Sequence, residues 1–169
     1  SEEETFSHLV YDSGECAEID PLDFEVPVSW RPCTRYFWKV WVRADNGDEA
    51  ISEAAWFETP KDAHWTGKWI SPKADPNMHY SIYRDFVVSK PVKKARLYGV
   101  GLGVYELYLN GEKQGNEFLL PGLHAYDSWI QYQTYDLALQ QGENHIEFLL
   151  GNGWYKGLYG LALEENNYG

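Results

Sequence analysis

Gly-Leu-Gly-Val-Tyr-Glu-Leu-Tyr-Leu-Asn-Gly, residues 101–111, decides how the rest of the chain is read. From Val104 to Asn110 the side chains alternate with period two, the period of an extended strand. Tyr105, Leu107 and Leu109 fall on one face, and Val104, Glu106 and Tyr108 on the other. Asn110-Gly111 then predicts a tight hairpin, because a type I′ turn needs positive φ at both central residues and these residue types tolerate it. Gly99, Gly101 and Gly103 have a superficial likeness to a dinucleotide fingerprint. That motif must open a helix, whereas here the chain continues as a strand. The glycines are therefore read as positions of bend or close backbone approach.

Working outward, strand signals dominate. Tyr83 to Val88, Lys93 to Val100, Gln131 to Leu137 and His145 to Leu150 each read as extended, with Gly142-Glu143-Asn144 as the turn before the last. Ile146, Phe148 and Leu150 form the expected buried face of that last strand. Towards the N-terminus, Tyr36-Phe37-Trp38-Lys39-Val40-Trp41-Val42-Arg43 is rich in aromatic and β-branched residues, with Tyr36, Trp38, Val40 and Val42 on one face. Asp45-Asn46-Gly47-Asp48 supplies a turn, and Ala54 to Thr59 resumes the extended pattern. Glu49 to Ala55 has a helical look but is too short to stand alone. Pro60 and the charged residues after it break the pattern, so a domain boundary is expected between Thr59 and Trp65. The fold class that follows is all-β, in short strands spaced as in a sandwich or jelly roll.

The chain has 169 residues with 44% hydrophobic and 17% aromatic content, enough for a packed core. Its net charge of −12 is uneven: residues 1–60 carry −10 and residues 61–169 carry −2. An acidic chain repels phosphate backbones and anionic membrane surfaces, which argues against nucleic-acid and membrane partners. No run of 18 apolar residues occurs, and Ser1-Glu2-Glu3-Glu4 does not read as a signal peptide. No compartment is assigned by these features. Cys16 and Cys33 define no disulfide framework, and pairing and free thiols both stay open.

Catalytic motifs are absent. His8, His64, His79, His124 and His145 are scattered, without triad order or zinc spacing, and are read as surface or hydrogen-bonded residues. Glycoside cleavage needs two carboxylates flanking the bond, and Glu106, Asp127, Asp136 and Glu147 have no neighbouring cue that pairs them. The aromatic excess is a better lead, since Trp and Tyr rings stack on the apolar faces of sugars. Trp38, Trp41, Trp56, Trp65 and Trp69 are expected in cores or at the domain junction, whereas Trp129 and Trp154 lie near predicted loops. Gly151-Asn152-Gly153-Trp154-Tyr155 joins flexible glycines, an amide and two aromatics. Such a loop suits a sugar or a calcium ion held through oxygens, and equally a demanding turn that packs Trp154 on the sandwich.

Four phrases in order, residues 101–111, Leu-Leu-Pro-Gly (119–122), Tyr-Gln-Thr-Tyr-Asp-Leu (132–137) and Gly-Asn-Gly-Trp-Tyr-Lys-Gly (151–157), resemble the N-terminal β-sandwich region of bacterial α-L-rhamnosidases. Trp65-Thr66-Gly67-Lys68-Trp69-Ile70-Ser71 resembles the opening of the same unit, and Thr34 to Val40 resembles the central strand of fibronectin type III-like modules in front of it. The resemblance implies a partial fibronectin type III-like domain over 1–60 and a jelly-roll domain over 61–169, incomplete at its C-terminus because relatives add a strand after a phrase like Asn166-Asn167-Tyr168-Gly169. It implies a non-catalytic accessory region of a glycosidase that removes terminal α-L-rhamnose. Its partners would be a downstream catalytic domain of the same chain and a rhamnose-containing glycan. No catalytic residue is carried over. Asn152, Trp154 and Asn110 are the ligand-contact candidates, with Asn152 as a calcium contact. The alternative is a stand-alone carbohydrate-binding, adhesion or protein-interaction pair of sandwiches.

Overall fold

The computed structural model describes residues 1–73, 75, 78–157 and 168. The predicted loop Pro72–Asn77 and the closing phrase 166–169 lie partly outside the described residues. The chain divides into two compact units, Ser1–Trp69 and Ile70–Gly169. Every described ladder is antiparallel, and the one described helix has four residues, so the fold is all-β.

In the first unit, β1 (Arg35–Trp38) pairs with β4 (Ala55–Glu58), and β2 (Trp41–Arg43) pairs with β3 (Glu49–Ile51). The single strand expected over Tyr36–Arg43 is thus two. The chain changes partner at Lys39–Val40, where Val40 N–H donates to Ser52 Oγ and Ser52 N–H donates to the Val40 carbonyl, each at 2.9 Å. The helical look of Glu49–Ala55 gives way to β3, because the turn at Gly47 (φ 88°) returns the chain directly onto β2. Tyr36 is buried against Trp30 and Phe57, with ring centroids 4.8 and 5.7 Å away. Trp38, Trp41, Trp56, Trp65 and Trp69 are exposed, so none of them sits in a core; Trp69 is the last residue of the first unit, at the junction that is the other expected place. Trp38, Trp41 and Trp56 lie on two-stranded ladders, which give a ring few neighbours to cover it, and Trp65 and Trp69 lie outside the strands. Arg35 covers part of Trp56, its guanidinium 4.2 Å from the ring centroid.

The second unit carries a four-stranded sheet in the order β5 (Tyr80–Val88), β10 (Gly142–Gly151), β7 (Val104–Leu109), β8 (Glu112–Gln114). A second ladder joins β6 (Arg96–Gly99) to β9 (Gln133–Asp136), with Arg96 and Asp136 bonded at 2.9 Å. Gly142-Glu143-Asn144, expected as a turn, is the start of β10 and pairs with Val88, Val87 and Phe86. The turn lies just before it, where Asn144 Oδ1 accepts from Gln140 N–H at 3.1 Å.

The two ladders face each other across a core of Tyr105, Leu107 and Tyr135. Ile146, Phe148 and Leu150 of β10 pack on it from one sheet, and Leu97 of β6 from the other. The Tyr135 hydroxyl lies 3.5 Å from that of Tyr105. Burial pushes the Tyr105 phenol far above the ordinary tyrosine value, and the hydrogen bond with Tyr135 adds to this. Burial raises Tyr135 as well. Below the unfolded pKa of about 10 both states are neutral and the stabilisation is fully present. Above it the unfolded chain releases protons that the folded chain keeps. Stability therefore falls by up to about 1.4 kcal/mol per pH unit for each phenol held neutral. Denaturant melts between neutral and strongly alkaline pH should show this decline, and Tyr135→Phe should make it shallower.

Candidate functional site

The three residues expected to touch ligand sit at opposite ends of the four-stranded sheet. Asn110 follows the C-terminal end of β7, and Gly151 pairs with Val104 at its N-terminal end. Six strand residues separate the ends, roughly 20 Å. Asn152 and Trp154 therefore belong together, and Asn110 stands apart from them.

At the Gly151 end, close packing of backbone on backbone shapes the loop. Gly103 has φ +100°, and a Cβ there would lie 2.4 Å from the Gly151 carbonyl oxygen. Gly153 has φ +51° and meets Gly103 and Val104 in the same way. Asn152 precedes α1 (Gly153–Lys156), a single turn, and its carbonyl accepts from Lys156 N–H at 3.3 Å. Its side chain makes no capping bond, so that amide is not consumed by the helix terminus. Asn152, Trp154 and Tyr155 are half-buried.

An aromatic cluster stands beside this loop. Tyr155 meets Tyr126 edge-on at 5.2 Å, Tyr126 meets Tyr168 at 5.0 Å, and His124 lies 5.3 Å from Tyr126 and 5.5 Å from Trp129. His124 is 4% exposed, with Nε2 3.3 Å from the Pro121 carbonyl oxygen and Nδ1 without a partner among the described residues. It is thus neither a surface histidine nor a fully satisfied one. Burial raises the Tyr126 phenol, with smaller contributions from Tyr168 and Tyr155. Sequence reasoning missed His124 and Tyr126. The one signal for them is their place two and four residues after Gly122, where the chain turns back towards the loop.

At the other end, Asn110 (φ 52°) and Gly111 (φ 84°) form the expected turn. The Asn110 side chain binds the protein itself. Its Oδ1 accepts from His145 N–H at 2.8 Å, and its Nδ2 donates to Asn144 Oδ1 at 3.2 Å. Asn144 is 3% exposed and its Nδ2 donates to the Gln140 and Gly142 carbonyls. These bonds lock the hairpin to β10 and satisfy a buried amide that would otherwise destabilise the fold by about 1–3 kcal/mol.

No group of three or more His, Cys, Asp or Glu with metal-binding geometry occurs among the described residues, so calcium at the Gly151 loop would rest on amide and carbonyl oxygens. Cys16 and Cys33 are free thiols. Among the described residues, the Glu106 and Asp62 carboxyls are held below the ordinary carboxylate range. Glu106 is held low by Lys113 and by the Tyr108 hydroxyl, and Asp62 by Lys61. A glycosidase's proton donor needs the opposite shift. Among the described residues no helix is long and apolar enough to cross a membrane.

Comparison with known proteins agrees with this architecture. Residues 90–169 match the α-L-rhamnosidase N-terminal domain family. An α-L-rhamnosidase of Formosa agariphila is 31% identical over 154 residues, covering 74% of this chain and 16% of that protein. The structure of an α-L-rhamnosidase from Dictyoglumus thermophilum superposes with a TM-score of 0.66 at 33% identity, covering 76% of this chain and 17% of that one. That of Aspergillus terreus gives a TM-score of 0.71 at 25% identity, covering 81% and 17%. The chain spans about one sixth of the length of these relatives. Residues 90–169 thus belong to the α-L-rhamnosidase N-terminal domain family.

Proposed function

We propose that this chain is a non-catalytic accessory region of a glycosidase that removes terminal α-L-rhamnose. The observation that carries the reading is the match of residues 90–169 to an N-terminal domain family by a chain that covers only 16% of its rhamnosidase relative. Residues 1–60 act as a partial fibronectin type III-like module and residues 61–169 as a jelly-roll domain. Together they support a catalytic domain of the same protein. The Gly151 loop is the contact point for a rhamnose-containing glycan, with Asn152 and Trp154 as the touching residues and calcium as a bridging ion. The Asn152 amide, which makes no capping bond, and the neighbouring aromatic cluster support this assignment.

The test has two parts. The purified chain is incubated with an aryl α-L-rhamnoside, and no turnover is expected. Turnover that one acidic substitution abolishes would overturn the non-catalytic reading. Rhamnose is then titrated with and without calcium, following tryptophan fluorescence. Asn152→Ala should weaken the response by about tenfold, the effect of deleting one neutral hydrogen bond at a small site. An unchanged response removes Asn152 from the site, and no response at all leaves the scaffold role alone.

A further inference from the structure

The outer face of the four-stranded sheet carries the side chains that alternate with the core. On β5 these are Ser81, Tyr83, Asp85 and Val87, and on β10 they are His145, Glu147 and Leu149. Beside the Asn110 turn, at the edge of this face, is a cleft of about 500 Å³ lined by Asp85, Phe86, Val87, Asn110, Glu143, Asn144 and His145. That volume falls within the range of about 300–1,000 Å³ usual for small-ligand sites.

We propose that this cleft is a subsite for a neutral pyranoside, with Tyr83 as the stacking platform and Asp85 and Asn110 as partners of the sugar hydroxyls. The proposal rests on the reading of the chain as part of a rhamnoside-cleaving protein, but at a place about 20 Å from the Gly151 loop.

Three features of the cleft and of the sheet face next to it carry the proposal. Tyr83 lies outside the cleft lining, two residues from Asp85 on β5; it is 64% exposed, and its ring is backed by the His145 imidazole of the cleft at 5.4 Å and 28°. A ring supported on one side and open to solvent offers an amphipathic surface with few rotors to freeze, which suits the C–H face of a sugar. Second, the polar groups are held in place before any ligand arrives. His145 Nδ1 fixes Asp85 Oδ1 at 2.7 Å, leaving Oδ2 to accept from a hydroxyl. Asn110 is fixed by its bonds to His145 and Asn144, and its Nδ2 has a second N–H beyond the one given to Asn144. Prior ordering lowers the entropy lost on binding. The third feature is charge. Asp85 and Glu143 line the cleft, Glu147 stands next to His145, and among the described residues no Lys or Arg is in the lining. Uronates and phosphates are repelled by such a wall, whereas a neutral sugar is not.

The test uses the whole chain, isotopically labelled, titrated with methyl α-L-rhamnopyranoside and separately with a methyl galacturonide, each with and without calcium. The expected result is saturable amide shifts at Tyr83, Asp85, Asn110 and His145 with the rhamnoside and none with the uronide. Tyr83→Ala should weaken binding about tenfold, and Asp85→Asn severalfold, since the first removes the platform and the second a charged acceptor. Both residues are exposed, so the dispersed spectrum should survive. Asn152→Ala should leave these shifts in place. Shifts confined to Gly151–Tyr155 would overturn this subsite while keeping the sugar-binding reading of that loop. An absence of shifts anywhere would overturn both. Equal shifts with the uronide, or binding unaffected by both cleft variants, would overturn the cleft alone.

Discussion

Gly103→Ala is expected to unfold much of the second unit. At φ +100° an alanine is strained by about 1–3 kcal/mol wherever it sits. At this position its Cβ would also lie 2.4 Å from the Gly151 carbonyl oxygen and 2.8 Å from that of Asn152. Both obstacles are backbone, so neither moves without displacing β10 or the loop after it. Overpacking of this kind adds about 1–3 kcal/mol. The sum, about 4 kcal/mol, corresponds to a fall in Tm on the order of 20 °C for a unit of this size. Gly142→Ala separates the two causes. Gly142 has nearly the same backbone, φ +104°, but nothing lies within 4 Å of its would-be Cβ. It should show the strain alone. Thermal melts of the two variants measure the difference, and equal losses would show that the approach of Gly103 to Gly151 does not matter.

That contrast bears on how much of the fold is legible in the sequence. The alternation in Val104–Asn110 and the Asn110-Gly111 pair are local signals, and a hairpin turn is decided locally. The structure accordingly has buried Tyr105, Leu107 and Leu109 and positive φ at both turn residues. The inner face of β10, Ile146, Phe148 and Leu150, is legible for the same reason. The split of the expected Tyr36–Arg43 strand is not, because it depends on Ser52, twelve residues beyond Val40 in the chain, offering bonds where the ladder changes partner. The exposed tryptophans escape for a related reason. A large apolar ring predicts burial only if a second layer covers it, and the layer count of the first unit is not written in the strands themselves.

At the candidate sites the same division holds. Asn152, Trp154 and Asn110 stand out by residue type, which says nothing of the sheet that sets Asn110 apart from the other two. The hydrogen bonds that commit Asn110 to His145 and Asn144 come from pairing across 34 and 35 residues. His124 meets the nearby Trp129, but Tyr126 gains its surroundings from Tyr155 and Tyr168, again by return of distant chain.

Leu107→Ala is expected to cost about 2–5 kcal/mol, the range for removing a buried leucine and leaving a cavity. Leu107 is 1% exposed, the lowest value in the core. It sits in the middle of β7, opposite Phe148 on one neighbour and Gln114 on the other. Tyr105 and Tyr135 belong to the same cluster and carry large rigid rings, which have few rotamers available for filling a gap. The loss should therefore fall towards the upper part of that range. Leu149 supplies the control. It lies on the opposite face of β10 and is 45% exposed, so Leu149→Ala should stay within about 0.5 kcal/mol of the parent. Denaturant titration followed by near-ultraviolet signals reports on both. A lower midpoint with an unchanged slope for Leu107→Ala is the expected outcome. Similar midpoints for the two variants would mean that the layer between the β6–β9 ladder and the four-stranded sheet is not what holds this unit together.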